Sequence, residues 1–129
     1  QGLLVPVLRD VVESDITTIA TQLRDLSQAA RTQQLQASKM RGACCTLSNL
    51  GSLGVSAIQP LVNWPEAAIL GVAASREIAV RRNNEWQAQL QMPLTLGFDH
   101  RLINGADAAR FLGWLSSQLS DPECFLKLL

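Results

Sequence analysis

The chain has no tyrosine, a single histidine and no surplus of either charge, and each scarcity removes a class of function. Eleven basic residues face eleven acidic ones across 129 positions. Such a balance offers no one-signed basic face, so neither a nucleic acid nor an anionic membrane is an expected partner. Three Phe and three Trp are little from which to build a base-stacking platform. The longest apolar run, Ala67–Ala74, is far shorter than the ~20 residues a membrane helix requires. No basic stretch followed by an apolar one marks a signal peptide at the N-terminus. Three cysteines without framework spacing suit a reducing compartment, so an intracellular soluble protein is expected. The length allows one domain. Gln1-Gly2 leads straight into a β-type run, as a domain cut in mid-fold or at an expression boundary would.

What is present reads as strand, helix, several strands, helix. Leu3–Leu8 is rich in branched apolar residues and reads as a strand, with Pro6 favouring an edge or a bulge. From Asp15 to about Gln34, Ile16, Ile19, Ala20, Leu23, Leu26 and Ala30 recur at helical spacing, with Ser14 as N-cap. Residues 35–42 read as a polar connector. Ala43–Leu50 reads as a strand running into the glycine turn Gly51-Ser52-Leu53-Gly54. Ala67–Val80 reads as one long, mostly buried strand, turned at Asn83-Asn84 into a partner strand Trp86–Phe98. Beyond Gly105, Ala106, Ala109, Phe111, Leu112, Leu115 and Leu119 mark a second amphipathic helix, stopped by Asp121-Pro122. Trp64, Trp86 and Trp114 lie on apolar faces and are assigned to the core. The tail Phe125-Leu126-Lys127-Leu128-Leu129 is strongly apolar for a free end.

The one histidine, His100, is the only side chain whose unperturbed pKa lies near neutrality. It stands where a strand ends and a glycine-containing loop begins, a place where catalytic groups are commonly held. A lone histidine is nevertheless more often structural than catalytic, and Ser48 before a glycine turn could simply close that turn. A metal or redox site at Cys44, Cys45 and Cys124 is not expected. Adjacent strand residues point to opposite faces, and no Cys-x-x-Cys is present.

The longer pattern changes the weighting. Phe98-Asp99-His100-Arg101-Leu102-Ile103-Asn104-Gly105 resembles the active-site segment of the dihydrolipoamide acyltransferases, the core subunits of 2-oxoacid dehydrogenase complexes. These share a fold and an H-x-x-x-D-G motif with chloramphenicol acetyltransferase. Three further segments resemble the same family in the same order: Gly2–Asp10, Thr46–Gly51 and Asn63–Val72. The local departures are Asn104, where most members carry Asp, and Cys44-Cys45, where a glycine and a bulky residue are usual.

The resemblance covers essentially the whole chain. It implies an α/β (α+β) chloramphenicol acetyltransferase-like fold, a mixed sheet covered by helices, with residues 1–129 forming the C-terminal half of the catalytic domain. It implies acyl transfer between dihydrolipoamide and coenzyme A, with coenzyme A as substrate and the lipoyl group carried on a separate domain. His100 is then the general base and Ser48 the donor to the tetrahedral oxyanion, with Asn104 holding the loop. The segment after Gly105 resembles the acetyl and branched-chain members more than the succinyl ones, and acetyl is favoured. The implied partners are two further copies in a homotrimer that assembles into a larger core, together with lipoyl domains and the dehydrogenase subunits. The apolar tail would dock on a neighbouring trimer. The implied compartment is the bacterial cytoplasm or the mitochondrial matrix. Two other readings stay open: a non-catalytic scaffold homologue, and a free-standing acetyltransferase of the chloramphenicol type.

Overall fold

The computed structural model describes residues 2–121 and 123. They fall into two compact units, one of residues 2–43 with 114–121 and 123, and one of residues 44–113. The first contains helix α1, Ile16–Arg31. Its N-cap is Asp15, whose carboxylate accepts a 2.7 Å hydrogen bond from the Thr18 amide. The expected cap, Ser14, instead donates from Oγ to the Asp10 carbonyl. Asp15 is the better choice because a charged acceptor also complements the positive end of the helix dipole. The bonds from Thr18 hold the Asp15 carboxyl below the usual carboxylate range.

Leu3–Leu8 does not form a strand among the described residues. Only Val7 finds a backbone partner, donating to the Lys39 carbonyl at 2.7 Å, and one bond is not a ladder. Residues 37–40 of the expected polar connector form a 3-10 turn. Arg9 fastens this region by donating from Nη2 to the carbonyls of Ser38 and Arg41.

The second unit carries five strands: β1, Cys45–Asn49; β2, Ala68–Val72; β3, Arg76–Arg82; β4, Glu85–Gln91; and β5, Leu94–Phe98. They make two sheets, a mixed one of order β1-β2-β5 and a two-stranded one of β3 and β4. β1 runs parallel to β2, and β5 antiparallel to it. The continuous apolar sequence of β2 suits its central place, where both faces are covered and Ala68, Ile69 and Gly71 are buried.

Each of the two long strands expected from the sequence is therefore two strands. Ala73–Ser75 interrupts the first, and Met92-Pro93 the second, where proline has no amide to donate. The turn between β3 and β4 is as expected. Asn83 and Asn84 both adopt positive φ, 50° and 64°, the geometry a two-residue hairpin turn requires.

Gly71 and Gly97 make room for the segment Ile58–Pro60 on one face of the mixed sheet. A Cβ at Gly71 would lie 2.7 Å from Ile58 Cγ2, and one at Gly97 would lie 2.9 Å from the Pro60 carbonyl oxygen. The three tryptophans are not core residues. Trp64, Trp86 and Trp114 are 81%, 72% and 58% exposed. An apolar neighbourhood in sequence does not reveal whether the covering surface lies in the same chain.

Candidate active site

β5 delivers the chain to His100. The Asp99 amide extends the sheet by donating to the Ala67 carbonyl, and the chain then turns sharply as Leu102 and Ile103 donate back to the Asp99 carbonyl. The Asp99 side chain locks this turn. Its carboxylate accepts from the Arg101 amide at 3.0 Å and from Arg101 Nε and Nη2 at 2.9 and 2.6 Å. Those bonds, with the guanidinium charge, hold the Asp99 carboxyl down to about 2 and raise the Arg101 pKa. His100 is exposed on the turn so formed, its ring centroid 5.5 Å from that of Phe98.

Asn104 closes the other end of the turn as cap of helix α2, Gly105–Leu119. Its Oδ1 accepts from the Asp107 amide at 2.9 Å, while its Nδ2 donates to Asp107 Oδ2 at 2.6 Å. Arg110 pairs with the same carboxylate. Reciprocal bonds of this kind satisfy an otherwise orphan amide at a helix start. His100 thus sits between two anchored points.

Ser48 lies on β1, half-buried and paired in register with Gly71, which faces Thr95 on β5. Beyond it, Asn49 Oδ1 accepts from the Gly51 amide at 2.9 Å, and Gly54, at φ 74°, ends the following turn. Among the described residues no hydrogen bond engages Ser48 Oγ or the His100 ring nitrogens. No group of acidic, cysteine and histidine side chains among the described residues could hold a metal ion. No described helix is long and apolar enough to cross a membrane.

The register separates the two principal candidates. Ser48 shares its row with Thr95, and β5 then runs three residues further to Phe98, about 10 Å along the strand. His100 lies two residues beyond, and two strand spacings, about 10 Å more, lie across the sheet. Within one chain they stand at opposite ends of the sheet and cannot contact the same reacting carbon. His100 and Asn104 share one turn, but Ser48 does not join them.

The family of 2-oxoacid dehydrogenases acyltransferase catalytic domains matches this sequence over residues 1–127. The chain belongs to that family. The dihydrolipoyllysine-residue acetyltransferase component of the pyruvate dehydrogenase complex of Pseudomonas aeruginosa is 46% identical over 125 residues, covering 97% of this chain and 23% of the relative. A solved dihydrolipoamide acetyltransferase of Azotobacter vinelandii has a TM-score of 0.89 at 43% identity, over 97% of this chain and 51% of that one. The cubic core of a pyruvate dehydrogenase multienzyme complex also has a TM-score of 0.89, at 44% identity, over the same shares. The chain thus spans about a quarter of that curated relative and about half of those solved chains. Its mixed sheet is the chloramphenicol acetyltransferase-like fold that the resemblance implied.

The Azotobacter study concerns the catalytic role of a serine, a histidine and an asparagine, the serine 52 positions before the histidine and the asparagine four after it. Ser48, His100 and Asn104 have the same spacing. Asn104 is therefore no departure from that relative, although most family members were expected to carry Asp. In the sequence Asp99 and Arg101 stand only as the residues on either side of His100 in its motif. The signal for their role was an acid and a base two residues apart around a turn. Thr46 and Glu66 lie within the family-like segments Thr46–Gly51 and Asn63–Val72, where the sequence alone assigns them no role.

Proposed function

We propose that this chain is the C-terminal half of the catalytic domain of an acyltransferase that moves an acetyl group between dihydrolipoamide and coenzyme A in a pyruvate dehydrogenase complex. The observation that carries this reading is the Ser48, His100 and Asn104 spacing, shared with an acetyltransferase whose catalysis was studied at those residue types. The chemistry follows from the side chains. A free thiol of pKa about 8.5 is mostly protonated at neutral pH, and its thiolate is the nucleophile. His100, exposed on a fixed turn, takes the proton from the thiol of one substrate. The thiolate attacks the thioester carbonyl of the other, forming a new carbon–sulfur bond. Ser48 donates its hydroxyl to the oxyanion of the tetrahedral intermediate. When that intermediate collapses, the old carbon–sulfur bond breaks and the departing thiolate recovers the proton from His100. Both substrates react directly, so no acyl group resides on the protein. Asn104 holds the loop through its cap.

Since Ser48 and His100 cannot meet within a chain, a working site joins the Ser48 end of one copy to the His100 end of another. This agrees with the homotrimer expected of the family, assembled into a larger core with lipoyl domains and dehydrogenase subunits as partners. Replacing His100 tests the reading. In the full-length protein, His100→Ala should reduce transfer by on the order of 10²–10⁴-fold, the usual worth of a positioned base, with assembly intact. Turnover above a tenth of wild type, measured with coenzyme A and dihydrolipoamide, would remove His100 from the role of base.

A further inference from the structure

Glu66 is the one buried polar or charged side chain among the described residues, 7% exposed. Its carboxylate accepts a 2.5 Å hydrogen bond from Thr46 Oγ1 and a 3.2 Å bond from Asn63 Nδ2. The Glu66 amide also donates to the Asn63 carbonyl at 2.8 Å. No salt bridge among the described residues involves Glu66. A buried carboxylate without a cation is costly, and an apolar residue of similar size would often serve stability as well. What it achieves is geometric: it ties the turn at Asn63–Glu66 to one side chain of β1.

That side chain is two residues from Ser48. Thr46 and Ser48 are both half-buried on one face of β1, whereas Cys45, Leu47 and Asn49 on the other face are exposed. Among the described residues β1 has a hydrogen-bonded neighbour on one side only, β2. An edge strand held by a single ladder needs a further anchor if one hydroxyl is to keep its place. On the far side of Ser48, the Asn49 side chain binds the Gly51 amide. Ser48 therefore stands between two side-chain anchors while its own hydroxyl is engaged by neither.

We infer that Glu66 is a positioning residue for acyl transfer, acting through Thr46 to set the Ser48 hydroxyl at the oxyanion; the inference rests on the role proposed for Ser48. It concerns a contact made only in the transition state, so it should act on kcat and leave KM alone.

The test uses the full-length protein, assayed with coenzyme A and dihydrolipoamide. Thr46→Val removes the hydroxyl at constant volume, and Glu66→Ala removes the acceptor. Each should lower kcat by about 10- to 100-fold, the range in which small misplacements of catalytic groups fall. KM for both substrates should be unchanged, and Thr46→Ser should keep the wild-type rate. The deciding comparison is made in a Ser48→Ala background, where neither substitution should cause a further loss. Equal losses with and without Ser48, or a change confined to KM, would make Glu66 a structural tie only and overturn the inference. If Glu66→Ala does not assemble, Thr46→Val reads the same contact. A Ser48→Ala variant with wild-type kcat would instead overturn the role of Ser48, and with it the reason for the anchor.

Discussion

At the scale of single residues, the proposed chemistry falls to Ser48 and His100, with Asn104 and the neighbouring side chains fixing their placement. Ser48 should stabilise a charge that exists only in the transition state. Ser48→Ala in the full-length protein should then lower kcat by about 10²-fold with KM nearly constant. Steady-state kinetics in both substrates reads this directly, and a loss confined to KM would assign Ser48 to binding. Asp99 makes a prediction in pH. Its carboxyl is held at about 2 by Arg101, through the side-chain bonds first and the amide second. An unfolded aspartate titrates near 3.9, so the lowered value means that the fork stabilises the turn fully above about pH 4. The contribution is lost as pH falls through about 2. Carbon-13 NMR of labelled aspartate carboxyls should place Asp99 near 2, whereas a midpoint near 4 would mean that the fork with Arg101 is not closed in solution.

At the scale of elements, the mixed sheet depends on two missing side chains. Gly97→Ala would drive a Cβ against the Pro60 carbonyl oxygen, a backbone atom that yields only if the whole segment shifts. Overpacking of this kind costs about 1–3 kcal/mol. The corresponding obstacle for Gly71→Ala is a methyl group of Ile58. Gly71→Ala combined with Ile58→Ala should therefore destabilise less than the sum of the two single changes, by about 0.5–3 kcal/mol. Denaturant midpoints of the four proteins would measure the coupling, and strict additivity would mean that Ile58 does not cover Gly71. The helices were legible beforehand because their apolar residues recur at three and four. The Asn83-Asn84 turn was legible because asparagine tolerates positive φ. The breaks at Ala73–Ser75 and Met92-Pro93 were harder to see, since apolar and β-prone residues continue across both. Leu3–Leu8 has the composition of a strand, but strand formation needs a partner, and composition cannot supply one. His100, Ser48 and Asn104 are candidates through motif, whereas Glu66, though inside the family-like segment Asn63–Val72, suggests no role by itself because a glutamate in a proline turn looks like solvated surface.

At the scale of the whole molecule, this chain leaves much apolar surface for others to cover. Leu3, Val12, Leu61 and Trp64 are each more than 80% exposed, and few large apolar side chains among the described residues are buried. Trp86 and Leu90 lie on one face of the β3–β4 hairpin, with Ala79 and Ala88 between them. That hairpin continues from the end of the mixed sheet where Ser48 lies, because β2 leads into β3 and β4 into β5 at that end. The apolar tail at residues 124–129, expected to dock on a neighbouring trimer, lies outside the described residues. Independently of it, the register places Ser48 and His100 too far apart to serve one reaction within a chain. A full-length Ser48→Ala protein and a full-length His100→Ala protein, each nearly inactive alone, should therefore restore activity when co-assembled. In a closed ring of equal parts, a junction works when its serine-bearing copy carries the histidine change and its histidine-bearing copy carries the serine change. Each condition holds half the time, so about a quarter of the junctions, and about a quarter of wild-type activity, should return. If both residues instead served the same reaction from within one chain, every site would lack one of them and mixing would restore nothing. Unfolding and reassembling the two variants together, against each reassembled alone, distinguishes these outcomes without any knowledge of the final core size.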